Sequence, residues 1–282
     1  MSVKQVGHGL RTVAEDLDHP EGVCWSPAEQ AVYAGGEAGQ IYRGSLEGGE
    51  FELIASVEGG FILGLALDDS GTVYACDPGN GCVQRIGADG SVERHGAGIT
   101  YPNYPVFDAE GGLWVSDSGE WEEATGRVVR IDPDGHTETV LDGLRFANGL
   151  ALSGEHLYVI ESAWPRVVRM PLSGGASETV VELERAVPDG LAFDAAGGLW
   201  IGCWQPNRIY RLTPDGVLQT VVDDWTGEYV LTPTNLAFAG AGLDQLVLAS
   251  LGGRALKAID PGVRGAPMHY PSGIGGSAGE TA

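Results

Sequence analysis

The chain has 282 residues, of which 43% are apolar and 20% charged, enough for a buried core and not the make-up of a disordered chain. Its formal net charge of −23 excludes phosphate backbones and anionic membrane surfaces as natural partners, leaving a small molecule as the expected one. Residues 1–15 contain no apolar h-region and no window approaches transmembrane length, so the expectation is a cytoplasmic protein.

The 45 glycines and 15 prolines are dispersed, as in a chain of many short strands. In chain order, residues 5–14 read as a strand that belongs to no repeat of its own. From residue 17 a phrase then recurs about every 40–45 residues, the length of a four-stranded propeller blade. It reads HPEGVCW at 19–25, ILGLALD at 62–68, YPNYPVFD at 101–108, FANGLAL at 146–152, VPDGLAFD at 187–194 and TPTNLAF at 232–238. Each is followed by a second strand (AVYAGG, TVYACD, GLWVSD, HLYVIE, GLWIGC, QLVLAS). A third, usually containing Arg, comes next (QIYRG, CVQRI, RVVRI, RVVRM, RIYRL, ALKAI).

Five repeats have room for four strands; the fifth reads 191–193, 199–203, 208–212 and 218–222. The sixth has room for three before Pro261, and the orphan strand at 5–14 completes it, removing an exposed edge. The expected fold is all-β: a six-bladed β-propeller of four antiparallel strands per blade, closed by the N-terminal strand. Residues 1–271 form the single propeller, and 272–282, rich in Gly, Ser and Ala, form a disordered tail. The four cysteines, Cys24, Cys76, Cys82 and Cys203, include no CxxC pair and read as reduced buried thiols. Cys76 and Cys82 flank a short turn and are the one pair able to meet across a hairpin.

In a propeller the first strand of every blade lines the channel, and all run in one direction. Residues just before each Gly-Leu therefore converge on one mouth: Glu21, Leu63, Asn103, Asn148, Asp189 and Thr234. Singly, Pro-Glu-Gly, Ala-Asn-Gly and Pro-Asp-Gly are ordinary turns. At equivalent repeat positions they gather two carboxylates and two carboxamides, a set of hard oxygen donors that would repel without a cation between them. Ca²⁺ fits first, completing its shell with water, and Mg²⁺ and Mn²⁺ are alternatives; Zn²⁺ is disfavoured because no His or Cys joins the ring.

These phrases carry a resemblance that spans 17–261. HPEG at Glu21, FANGLALS with YVIES at Asn148, and VPDGLAFDAAGGLWI at Asp189 resemble the SMP-30/gluconolactonase/LRE family of calcium-binding six-bladed propellers. The resemblance implies a metal held by Glu21, Asn148 and Asp189, with Asn103 facing metal and substrate. It also implies lactone hydrolysis, with Asp189 as general base. Around the third-blade asparagine, sugar-lactonase members often carry Arg-Pro-Asn-Asp, where this chain has Tyr101-Pro102-Asn103-Tyr104. The expected substrate is accordingly a lactone or related ester less polar than a sugar lactone. GLWVSDSG and FANGLALS also resemble strictosidine synthase-like propellers, which leaves two alternatives: a non-hydrolytic enzyme acting on an aromatic or natural-product substrate, and a binding propeller with a structural metal.

Aromatic residues crowd the expected mouth loops: Phe61, Tyr101, Tyr104, Trp121, Trp164 and Trp204. Of these, Tyr101, Tyr104, Trp121 and Trp204 are the expected substrate contacts beside Asn103, whereas Trp114 and Trp200 read as blade core. Metal-bound hydroxide or a loop acid (Glu120, Glu122 or Glu123) is the alternative to Asp189 as base. His19 reads as a turn residue, with a proton relay as the other possibility. The Asp-Pro-Asp-Gly at 132–135 reads as a hairpin turn. No GxSxG, HExxH, P-loop or GxGxxG motif occurs. Monomer and homodimer are not distinguished by sequence.

Overall fold

The computed structural model describes residues 9–272. Six four-stranded antiparallel sheets form the blades of a β-propeller. Blade 1 runs outward through Val23–Ser26, Ala31–Gly35, Gln40–Ser45 and Glu52–Ser56. The next four blades repeat this order from innermost strands Leu65–Leu67, Pro102–Phe107, Ala147–Ser153 and Val187–Phe193. Blade 6 uses Pro233–Ala239, Gln245–Ser250 and Leu256–Ile259, then takes Leu10–Ala14 as its outermost strand, with Leu10 opposite Ile259. The two ends of the chain thus close the ring in one sheet, as the incomplete sixth repeat requires. Residues 5–8 of the expected closing strand and 273–282 of the expected tail lie outside the described residues. Ser272 is tied down, its hydroxyl donating to Asp69 Oδ2 at 2.6 Å. No helix among the described residues is long and apolar enough to cross a membrane.

Each blade packs on the next through its own buried apolar cluster, such as Val23, Trp25, Val247 and Ala258 between blades 6 and 1. The recurring Asp, Trp and Arg of the repeat have one physical cause. Asp108 accepts the backbone N–H groups of Glu110 and Gly112, the indole N–H of Trp114 (2.8 Å) and Arg130 Nε (2.8 Å). Asp194 does the same with Ala196, Gly198, Trp200 and Arg211. One carboxylate therefore closes the first hairpin and pins the second and third strands, with no acceptor left bare. Removing one partner of such a buried charge pair costs about 3–5 kcal/mol. All four cysteines are buried and free; Val83, not Cys82, stands opposite Cys76.

The residues expected as turns ahead of the first strands prove to be strand residues in blades 3 to 6. Ala147 and Leu150 stand opposite Glu161 and Val159, so three steps on the innermost strand match two on its neighbour. The same slip separates Pro102 from Pro105, Pro188 from Leu191 and Pro233 from Leu236. Each slip is a β-bulge holding the ring residue and the one after it, and a bulge bends the strand and re-aims its side chains. Asn-Gly and Asp-Gly suit a bulge as well as a turn, which is why sequence read them as turns.

Where the residue after the ring position is glycine, at Gly22, Gly64, Gly149 and Gly190, its bare backbone lets neighbouring strands touch. A Cβ on Gly149 would lie 2.3 Å from the carbonyl oxygen of Asp189, and one on Gly22 would lie 1.9 Å from that of Leu63. We expect Gly149→Ala to destabilise the protein by about 1–3 kcal/mol, because the obstacle is backbone and cannot rotate away. Gly242→Ala, whose added carbon meets nothing nearer than 3.5 Å, should be near neutral in the same thermal melt. Equal melting temperatures for the two would contradict this packing.

Candidate active site

Five of the six ring residues, Glu21, Leu63, Asn103, Asn148 and Asp189, line a mouth pocket of about 160 Å³. Thr234 does not line it; its hydroxyl donates to the backbone carbonyl of Glu21 at 2.9 Å, fastening blade 6 to blade 1. Glu21, Asn103, Asn148 and Asp189 are all buried.

Three of their oxygens, Asn103 Oδ1, Asn148 Oδ1 and Asp189 Oδ1, have no hydrogen-bond partner among the described residues. Buried acceptors are almost always satisfied, so three from three blades in one small pocket call for an explanation. The orientation of Asn103 follows from its neighbours. The Ser118 hydroxyl donates to the carbonyl of Ala147 (2.7 Å), leaving its lone pairs to accept from Asn103 Nδ2 (3.1 Å). The Asn103 amide therefore presents its oxygen, not its nitrogen, as the free group.

Burial pushes the Glu21 carboxyl well above the usual carboxylate range, and the charges of Asp189 and Glu37 push it further. Burial likewise raises Asp189 to about 7, against a smaller opposing pull from hydrogen bonding by the Asn148 side chain. Among the described residues, no Lys, Arg or His lines the pocket to relieve either acid. Two acids, one of them carrying one of the three bare acceptors, and two carboxamides form a site whose chemistry fits a hard cation taking about six to eight oxygen ligands. Without nitrogen or sulfur donors it does not fit zinc.

Aromatic and aliphatic side chains wall the pocket: Phe61, Tyr101, Trp121, Phe146, Val187, Trp204 and Leu251. Phe146 lies between Tyr101 and Trp121, its ring centroid 6.1 and 5.0 Å from theirs. Tyr101, Trp121 and Trp204 therefore stand at the mouth, as expected of substrate contacts. Tyr104 does not. Its phenol is buried in the channel below, where it donates to the carbonyl of Leu191 at 3.1 Å across the axis. The reason is the bulge, in which Asn103 and Tyr104 point apart.

Trp164 is outside the pocket, stacked on Arg166 with the guanidinium carbon 4.0 Å from the ring centroid. Glu120, Glu122 and Glu123 are exposed and do not line the mouth. His19 has left-handed backbone and pairs with Asp18 and Glu37 at 3.1 and 3.2 Å, in keeping with a turn residue. The grouped acids and histidine of Asp132, Asp134 and His136 are a turn, closed by the His136 N–H on Asp132 Oδ1 (2.8 Å).

Sequence reasoning passed over Phe146, Ser118 and Ser162. Ser162 lines the mouth while its hydroxyl donates to the carbonyl of Pro188 (2.7 Å), beside Asp189. Its equivalence to Ser118, each directly after the closing acid of a second strand, was the available signal. Those acids set the mouth loops. Asp77, Asp117 and Glu161 accept the backbone N–H groups of Phe61 (2.9 Å), Tyr101 (2.7 Å) and Arg145 (2.9 Å).

Residues 96–252, which carry four of the six ring positions, match the family model described as the SMP-30/Gluconolactonase/LRE-like region. The chain belongs to the SMP-30/gluconolactonase/LRE-like family. Among curated members, it is 28% identical over 246 residues to the pentonolactonase XacC of Haloferax volcanii, covering 83% of this chain and 81% of that one. It is 27% identical over 247 residues to the 6-deoxy-6-sulfogluconolactonase of Pseudomonas putida, covering 80% and 81%. Among solved structures, a gluconolactonase from Xanthomonas campestris shares the fold, with a TM-score of 0.76 at 22% identity over 93% of this chain and 91% of that chain.

The electrostatics of the mouth have a sign that melting can check. Carboxyls raised above their unfolded values, about 4, stabilise the folded metal-free protein fully below that pH. The contribution is lost as pH climbs through their folded values. We expect Ca²⁺ to raise the melting temperature of the metal-free protein more at pH 8 than at pH 5. In Glu21→Gln, the metal-free melt at pH 8 should rise or hold and most of the Ca²⁺ response should vanish. A Ca²⁺ response that is equal at both pH values would contradict this reading.

Proposed function

We propose that this protein hydrolyses lactones at the mouth pocket with the help of a divalent cation, Ca²⁺ in the first instance. Glu21, Asn148 and Asp189 would hold the cation, with Asn103 beside it. The observation that carries the reading is the set of three unpartnered buried oxygens from three blades, one of them on Asp189, next to Glu21 and, among the described residues, no base. The two family members with extended similarity, both lactonases by name, support the reaction class.

A cation bound there supplies Lewis-acid polarisation of a carbonyl oxygen and offsets the two carboxylate charges. The remaining work falls to the chain's own groups. Asn103 Oδ1, held outward by Ser118, accepts a hydrogen bond from the attacking water and so aims its lone pair. Asp189 takes the proton of that water as the carbon–oxygen bond forms, and returns it to the ring oxygen as the lactone opens to a hydroxy acid. Phe146, with Tyr101 and Trp121 on either side, covers the acyl portion and excludes bulk water.

The substrate we infer is less polar than a sugar lactone. Eight apolar or aromatic side chains, Leu63 among them, form the wall, and among the described residues no guanidinium or ammonium is present to bind an array of hydroxyls or an anionic group. A panel of alkyl and aryl γ- and δ-lactones against D-glucono-1,5-lactone tests this, with kcat/KM expected to be at least tenfold higher for the apolar members. Chelation with EDTA should abolish turnover and added Ca²⁺ should restore it. Asp189→Ala should lower kcat/KM by roughly 10²–10⁴-fold, the scale of general-base catalysis. Chelator-resistant turnover would sink the metal-dependent reading, and preference for the sugar lactone would sink only the substrate class.

A further inference from the structure

The channel has a second chamber at its other end. Beyond the glycine layer, the outgoing halves of the innermost strands enclose a cavity of about 370 Å³, within the size range of small-molecule sites, about 300–1,000 Å³. It is separate from the mouth pocket. Tyr104 lines this cavity and not the mouth, and its phenol crosses the channel from blade 3 to the Leu191 carbonyl of blade 5. Among the described residues, no Asp, Glu, Lys or Arg lines the chamber; leucines, alanines and the rings of Phe107, Phe193 and Phe238 make up most of its wall.

A strap covers its opening. The Gly265 N–H donates to the carbonyl of Leu243 (2.7 Å) and the Ala266 N–H to that of Phe193 (2.9 Å), fixing the strap to blades 6 and 5. On the far side, the Tyr270 hydroxyl donates to the carbonyl of Trp25 (2.8 Å), and the Asp69 N–H donates to that of Pro271 (3.1 Å). Pro267, Met268 and His269 bridge the gap and line the chamber.

One wall group is left over. Trp25 is 4% exposed, and its indole N–H has no hydrogen-bond partner among the described residues, whereas those of Trp114 and Trp200 are bonded to Asp108 and Asp194. A buried donor without an acceptor, on a residue that lines an apolar chamber, is unfavourable unless an occupant supplies the acceptor. We propose that this strapped chamber binds a neutral, mostly apolar small molecule carrying one hydrogen-bond acceptor, a ketone or ester, which takes the indole N–H of Trp25. Charged ligands are disfavoured because, among the described residues, His269 is the one wall side chain able to carry a positive charge and no carboxylate is present.

The probe is 2-acetylnaphthalene, titrated into the full-length protein and compared with 2-ethylnaphthalene, which lacks the acceptor. We expect saturable binding of one ketone per chain. Ala192→Phe, which fills the chamber from a half-buried wall position, should weaken it at least tenfold, while Trp121→Ala at the mouth should leave it within twofold. Trp25→Phe should weaken the ketone roughly fivefold, the scale of one neutral hydrogen bond, and leave the hydrocarbon unchanged. This arm decides the matter even if Ala192→Phe does not fold. No saturable binding would overturn the proposal, whether water or the chain's own C-terminal residues fill the space. Binding lost in Trp121→Ala but kept in Ala192→Phe would overturn it too, as would equal loss of both probes in Trp25→Phe.

Discussion

Contact between neighbouring innermost strands is the constraint on which the rest of this molecule depends. At Gly22 and Gly149 the next strand's carbonyl occupies the space of a Cβ. Because four of the six innermost strands carry glycine at this level, neighbouring backbones can approach this closely around the axis. The ring residue beside each of these contacts is then fixed at the rim, and in blades 3 to 6, with or without a following glycine, a bulge re-aims it. Glu21, Asn103, Asn148 and Asp189 meet for a backbone reason, before any chemistry among their side chains is considered.

Their meeting is unfavourable in itself. Two carboxyls are taken out of water without a basic partner, and the amide of Asn103 is locked by Ser118 with its oxygen bare. A protein can hold such a cluster because the scaffold around it is over-determined. The hairpin acids Asp108 and Asp194 each satisfy four donors, and Asp77, Asp117 and Glu161 pin the loops that carry the mouth aromatics. Stability resides in the blades, and the unsatisfied groups gather where a cation and a substrate can use them.

The architecture was legible in the sequence because repetition is a long-range signal: equivalent letters 40–45 residues apart must occupy equivalent places. The unclaimed strand near the N-terminus and the short sixth repeat dictated how the ring closes. The convergence of the ring residues followed from the same equivalence. What escaped was local and directional. Asn-Gly and Asp-Gly fit both a turn and a bulge, so the bulges were invisible, and with them the fact that Asn103 and Tyr104 part company. Tyr104 looked like a mouth aromatic by its neighbours in the chain, yet it forms the floor of the channel. Phe146 lay inside a phrase already explained by its asparagine, and Ser118 does its work through one lone pair, which no residue pattern reports.

The central claim is that one cation is shared by side chains from different blades, and crystals grown with Ca²⁺ test it most directly through anomalous scattering. The account predicts a single strong peak in the mouth, within about 2.3–2.6 Å of oxygens from Glu21, Asn148 and Asp189. A mouth without a peak at saturating Ca²⁺, or density only at the exposed hairpin of Asp132, Asp134 and His136, would contradict it.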